Sequence, residues 1–176
     1  MARLPYDLNH PQAAPLVQRI VAERGSVLHL YQMLLHSPPL AEGWLKYLTA
    51  VRQKLKLSGA LREMVIMRVA VLNGAPYEAF QHAPIALKEG MTQAQLDALD
   101  ALENWQDSSL FSDTERAVLR LTDAMTRDIP FAPQIMEAAR AALGERGAVE
   151  VTATIAAYNM VSRFLEALHI HADDPR

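Results

Sequence analysis

The sequence contains no cysteine among its 176 residues. That excludes a disulfide framework, a thiolate zinc site and peroxide reduction by a resident sulfur nucleophile, and it fits a reducing, cytoplasmic setting. Aromatic residues make up 6%, and there are only 7 glycines and 10 prolines, too few for a collagen-like or low-complexity polymer. Charge of neither sign dominates: 17 Lys and Arg face 20 Asp and Glu, for a net charge of -3 and a pI near 6.1. A nucleic-acid partner is therefore not expected, and the short basic run Arg52-Gln-Lys54-Leu-Lys56 reads as the solvated edge of a helix. Long apolar runs are missing too. The longest stretch free of Asp, Glu, Lys, Arg and His, Val151 to Ser162, has 12 residues, below the ~20 that a membrane helix needs. The opening Met-Ala-Arg-Leu-Pro-Tyr-Asp has no apolar core of signal-peptide length. A soluble protein with no membrane partner is expected.

What is present is helix-forming. Half the residues are hydrophobic (51%), and Ala, Leu, Glu, Gln, Arg and Met prevail, while no segment alternates with period two between turn residues. The expectation is a single all-α domain over residues 1–176 with about seven to nine helices. Within it, 1–57 form an N-terminal helical extension, 58–100 a core and 110–170 the C-terminal helices.

The breaks are well marked. Pro11 and Pro15 open a first helix that Gly25 interrupts, with Ser26 as the expected cap of its continuation. Ser37-Pro38-Pro39 starts the next helix, whose stripe of Leu40, Trp44, Leu45, Leu48 and Val51 faces a core. Ser58-Gly59 begins a helix through Leu72, closed by Asn73-Gly74. Pro76 opens another, ending at Gly90. Thr92 to Gln95 and Ser112 to Glu115 read as capping boxes. Pro130 and Pro133 precede Ile135 to Leu143. Gly144 and Gly147 come before a long last helix to about Ile170, and the tail beyond is expected to fray.

The Leu61–Leu72 helix carries only Arg62, Glu63 and Arg68 as charges, so it should be buried on most sides. Glu63 would then lie in its first turn, where the helix dipole or an ion pair with Arg62 would account for it. On the following helix Glu78 and His82 lie at i and i+4 and share a face. A carboxylate beside an imidazole raises the imidazole pKa and fixes its tautomer, the arrangement needed for acid–base work near neutral pH. Pro84 deprives the carbonyl of Phe80 of a donor and bends the helix beside His82. The same Glu-His spacing is also an ordinary surface pair worth a few tenths of a kcal/mol, so the pattern leaves both roles open.

Other groups stand behind this pair. His169 and His171 could bind a metal, but a helix end explains them more simply. His29 and His36 read as half-buried or interface residues. Glu150, Thr154 and Tyr158 share one face of the last helix, and together with Asn159 are polar groups that need partners. They could line the same cavity as Glu78 and His82. No glycine-rich phosphate loop, Gly-x-Ser-x-Gly elbow or His-Glu-x-x-His is present, and neither a cofactor nor a metal is expected.

The segment Leu61-Arg-Glu63-Met-Val-Ile-Met-Arg-Val-Ala-Val-Leu72, followed by Ala75-Pro-Tyr-Glu78-Ala-Phe-Gln-His82-Ala-Pro-Ile-Ala86, resembles the carboxymuconolactone decarboxylase family. The superfamily of that family includes the alkylhydroperoxidase D proteins. The likeness continues through Gly90-Met-Thr-Gln and, more loosely, Tyr158 to Phe164. It implies an alkylhydroperoxidase D-like helical bundle assembled as a homo-oligomer, a trimer or hexamer, with the pocket near subunit contacts. The peroxidase branch places a Glu at Glu63, cysteines at the positions of Ala75 and Glu78, and a His at His82. Both sulfurs are absent, so an antioxidant role carried by the family name is disfavoured as direct chemistry.

The decarboxylase branch also sets a Glu four residues before the His. The resemblance therefore makes His82, Glu78 and Glu63 the candidate catalytic residues, with Tyr77, Phe80 and Tyr158 as candidate pocket residues. The expected activity is that of a cofactor-free lyase or isomerase, decarboxylase-like, transferring a proton on a small carboxylated or enolisable compound. A non-enzymatic, ligand-binding oligomer on the same fold is the other alternative. The motif does not single out an Arg or Lys to hold a substrate carboxylate; Arg62 and Arg68 within it and Arg163 beyond it are the candidates for that task.

Overall fold

The computed structural model describes residues 1–6, 13–100 and 109–174. These form eight α-helices and, among the described residues, no strand. In chain order they are α1 (Ala14–Arg24), α2 (His29–Leu34), α3 (Pro38–Gln53), α4 (Gly59–Leu72), α5 (Pro76–Lys88), α6 (Gln93–Asp100), α7 (Asp113–Arg127) and α8 (Pro133–Leu168). The all-α expectation holds. Pro11 lies outside the described residues. Contacts divide the chain into two compact units, one of Met1–Lys54 with Phe164–Arg176 and one of Leu55–Arg163.

In the first unit α1 has Pro15 in its first turn and stops at Gly25, which takes a left-handed φ of 80°, a conformation that costs glycine little. Ser26 does not cap the second helix. Helix α2 begins at His29 with Leu28 in the extended cap position and no side-chain cap, because the apolar side chains of α2 are drawn inward as a block, and all six of its residues are buried. Ser37 stands at the N-cap of α3, but its side chain makes no capping bond. The α3 stripe is Ala41, Trp44, Leu45, Leu48 and Val51. Leu40, expected in it, is 48% exposed, since it lies one step round the helix from Ala41.

Three histidine rings of this unit bond to backbone. His36 Nε2 lies 2.7 Å from the carbonyl of Pro5, His29 Nδ1 3.1 Å from that of His171, and His169 Nδ1 3.2 Å from that of Met1. His29 is buried and stacked on Tyr6, more deeply placed than its sequence neighbours suggest. As far as Asp174 the tail is held, since Asp174 accepts from Tyr6 Oη at 2.5 Å and from the His171 amide at 3.1 Å; residues 175–176 lie outside the described residues.

The second unit is built round α4, which packs against α5, α6 and α7. Ser58 caps it by accepting from the Leu61 amide. Leu61, Met64, Val65, Ile66, Met67, Val69 and Ala70 are all buried, and each large apolar side chain contributes roughly 1.5–3 kcal/mol by leaving water. The one fully buried arginine of this helix, Arg68, is clamped by Asp123 of α7 at 2.7 and 2.8 Å and donates to the Leu99 carbonyl of α6 at 2.8 Å. This planar fork ties α4 to two neighbours at once.

Both expected capping boxes form, at Thr92 with Gln95 and at Ser112 with Glu115. Gly144, at φ 71° and ψ 174°, breaks the path of α8 where the sequence places a helix start.

Candidate functional site

The site begins with the turn that folds α5 back along α4. Asn73 ends α4, Gly74 supplies a φ of 60°, and Pro76 starts α5 with a fixed φ. Asn159 of α8 braces the turn: it accepts from Asn73 Nδ2 at 3.0 Å and donates to Thr126 of α7 at 3.0 Å. The polar interruption Tyr158-Asn159 in an apolar helix is thus half explained by support of this corner.

With the helices so paired, Glu63 of α4 meets His82 of α5. His82 Nδ1 lies 2.6 Å from Glu63 Oε2, and His82 Nε2 lies 3.2 Å from Glu78 Oε1, one helical turn away. The second oxygen of Glu63 accepts from Arg62 Nε at 3.0 Å. Glu63 has no exposed surface, and Glu78 and His82 are each 4% exposed. A neutral imidazole has one N–H and could donate to one carboxylate only; two carboxylates on its two nitrogens call for the imidazolium.

Burial opposes the charge on His82, but the hydrogen bonds to Glu63 and Glu78, together with their negative charges, outweigh it and hold the imidazole above its usual 6.5. Burial likewise opposes the charge on Glu63. The hydrogen bond from His82 and its charge, then those of Arg62, hold this carboxyl below its usual 4.5.

The helix dipole is not the cause. Helix α4 starts at Gly59, so Glu63 lies beyond the first turn, where the dipole has faded, and the first-turn placement is corrected.

The flanking residues separate clearly. Tyr158 reaches the site, its ring edge-on to His82 with centroids 5.2 Å apart. Tyr77 is buried. Phe80 is 65% exposed, since two residues from His82 on a helix it points to the opposite side. Of the face shared with Tyr158, Glu150 instead accepts from the backbone amides of Lys56 and Leu57 at 2.9 and 3.0 Å, and Thr154 donates to the Glu150 carbonyl. Neither is needed at His82.

The three candidate arginines divide as well. Arg68 is committed to Asp123 and Leu99, Arg163 is exposed, and Arg62 belongs to the site through Glu63. Sequence reasoning missed Glu89, whose Oε1 lies 3.5 Å from Arg62 Nη2; the only available signal was an acidic residue at the end of the His82 helix. Among the described residues, no group of three or more His, Cys, Asp or Glu is placed to hold a metal ion.

The model of the carboxymuconolactone decarboxylase family matches residues 38–124, which take in Glu63, Glu78 and His82. No curated protein is matched by the sequence. Solved structures share the fold at low identity. An uncharacterized peroxidase-related protein of Ralstonia eutropha, with an alkylhydroperoxidase AhpD core, superposes with a TM-score of 0.82 at 17% identity over 98% of this chain and 93% of its own. A peroxidase-related protein of Silicibacter sp. gives 0.80 at 16%, over 96% and 89%. The debrominase Bmp8, as a cysteine-to-alanine variant in complex with 2,3,4-tribromopyrrole, gives 0.79 at 19%, over 98% and 95%. The fold is therefore AhpD-like. Motif and family match agree with it: residues 38–124 match the carboxymuconolactone decarboxylase family, in a chain without cysteine.

Proposed function

We propose that the protein is a cofactor-free lyase or isomerase that transfers a proton through His82 and Glu78 on a small carboxylated or enolisable compound. The observation that carries this reading is one buried imidazole held between two carboxylates. Glu63, at the shorter distance and backed by Arg62, keeps the ring oriented and charged. Glu78 faces the other nitrogen across a longer gap, which leaves the Nε2 proton the more transferable one.

In a decarboxylation, the bond from carbon to carboxylate breaks and carbon dioxide leaves. The electron pair passes into an adjacent carbonyl as an enolate, and His82 Nε2–H protonates the carbon; Glu78 and solvent restore that proton. In an isomerisation, Glu78 takes the proton from carbon and His82 returns one elsewhere. The tribromopyrrole bound by the debrominase neighbour supports a small ring as the substrate class.

A homo-oligomer, trimer or hexamer, belongs to the same reading. It is supported by the outer face of α5, where Phe80, Pro84 and Leu87 are exposed. Cytoplasmic residence also belongs to it. It is supported by the lack of cysteine, and no helix among the described residues is long and apolar enough to cross a membrane.

The test is mass spectrometry of small carboxylated lactones and keto acids incubated with the protein in deuterated water. Loss of carbon dioxide or deuterium uptake at carbon, abolished in His82→Asn, is the expected result. Any such signal that survives His82→Asn contradicts the assignment. A persistent oligomer with no turnover in either protein would favour a ligand-binding role instead.

A further inference from the structure

The hydrogen bonds of the site do not end at Glu63. Its Oε1 accepts from Arg62 Nε while its Oε2 faces His82 Nδ1, so each oxygen is held by a different cation and the carboxylate has one orientation. Arg62 is itself fixed from outside, because its Nη2 lies 3.5 Å from Glu89 Oε1 just past the end of α5. Glu89 has a prepared seat. Gly59 is the first residue of α4, and a Cβ there would stand 1.6 Å from Glu89 Oε2. The Glu89 carboxylate therefore lies over the N-terminal turn of α4, where the dipole favours an anion.

Side-chain exposure falls from 40% at Glu89 to 13% at Arg62 and 1% at Glu63. The chain of charges runs inward from solvent to the imidazole. A guanidinium suits this place because Nε and Nη2 reach two separate carboxylates at once, which the single ammonium of lysine does not reproduce.

We infer that Arg62, seated by Glu89, is a positioning residue: it keeps Glu63 turned onto His82 Nδ1 and so leaves the Nε2 side, toward Glu78, as the reactive edge. This inference rests on the proton-transfer reading of His82. The groups facing the imidazole are Glu63 from α4, Glu78 from α5 and Tyr158 from α8, with Arg62 behind Glu63.

The experiment follows the His82 ring by nitrogen and proton NMR in the intact chain, comparing the native protein with Arg62→Gln, Arg62→Lys and Glu89→Gln. Removing the guanidinium leaves Glu63 unopposed, so the imidazolium is held more strongly. The His82 titration midpoint is expected to rise by roughly one pH unit in Arg62→Gln. Arg62→Lys should restore most of that midpoint but not the slow solvent exchange of the Nδ1 proton, and Glu89→Gln should speed that exchange severalfold. A folded Arg62→Gln protein with native midpoint and native exchange overturns the inference. If that variant does not fold, unchanged exchange in Glu89→Gln does so, since Glu89 is partly exposed and its loss opens no cavity. No substrate enters these measurements. The positioning role and the proton-transfer reading, tested by deuterium uptake in His82→Asn, can therefore fail separately.

Discussion

Glu63 Oε2 and His82 Nδ1 stand 2.6 Å apart across 19 residues of chain, both sealed from solvent. A buried charged pair of this kind is held by mutual satisfaction: each partner alone would carry a desolvation cost of several kcal/mol.

Breaking the pair by truncation should therefore be expensive. Glu63→Ala removes the nearer of the imidazole's two carboxylates and leaves a void beside Arg62, and a loss of about 3–5 kcal/mol is expected in denaturant unfolding. Glu63→Gln keeps the volume and a hydrogen-bonding group, so it should lose less while lowering the His82 midpoint.

The same pair sets a pH dependence of stability. His82 is held above its usual 6.5, so its contribution is fully present below 6.5 and is lost as pH rises through the folded value. Glu63 is held below its usual 4.5, so its contribution is present above 4.5 and is lost as pH falls through the folded value. Stability from this site is expected to be greatest between those two values. Urea midpoints measured across pH should show the alkaline decline flattened in His82→Asn.

Arg68 and Asp123 make a buried pair of another kind, one that binds α4 to α7 and α6. Asp123→Ala should destabilise the fold by about 3–5 kcal/mol. Any protein that remains folded should keep the native His82 titration. A His82 midpoint that moves with Asp123 would contradict the separation of the two networks.

Catalysis and stability should divide at Glu78. Glu78→Gln preserves shape on the first turn of α5, and turnover of whatever compound the deuterium assay reveals is expected to fall at least about 100-fold, as for loss of a general acid–base group. Its unfolding midpoint should change far less than that of Glu63→Ala.

Much of this architecture was legible in the chain because its signals are local. Proline and glycine mark the ends of α1, α4 and α5, the Thr92 and Ser112 boxes mark starts, and the 3.6-residue period puts Glu78 beside His82. Where local signals competed with packing, they misled. Ser26 lost to the inward-facing block of α2, and Leu40 fell just outside the α3 stripe. The Glu63–His82 and Arg68–Asp123 contacts join residues 19 and 55 apart; they depend on which helix lies beside α4, which periodicity does not specify. The family resemblance drew attention to Glu63, and only the pairing of α4 with α5 gave it the shorter of the two imidazole contacts. Glu150 was expected near the cavity because of its face. Its carboxylate instead serves the amides of Lys56 and Leu57, distant partners that no helical period reveals.

The most direct measurement is the nitrogen NMR spectrum of His82 in the native protein at pH 6.5, the usual imidazole pKa, where a ring without partners is half neutral. An imidazolium bonded at Nδ1 to Glu63 and at Nε2 to Glu78 should show both nitrogens protonated there. A neutral ring with one bare nitrogen would contradict the proton-charged site on which the proposed chemistry depends.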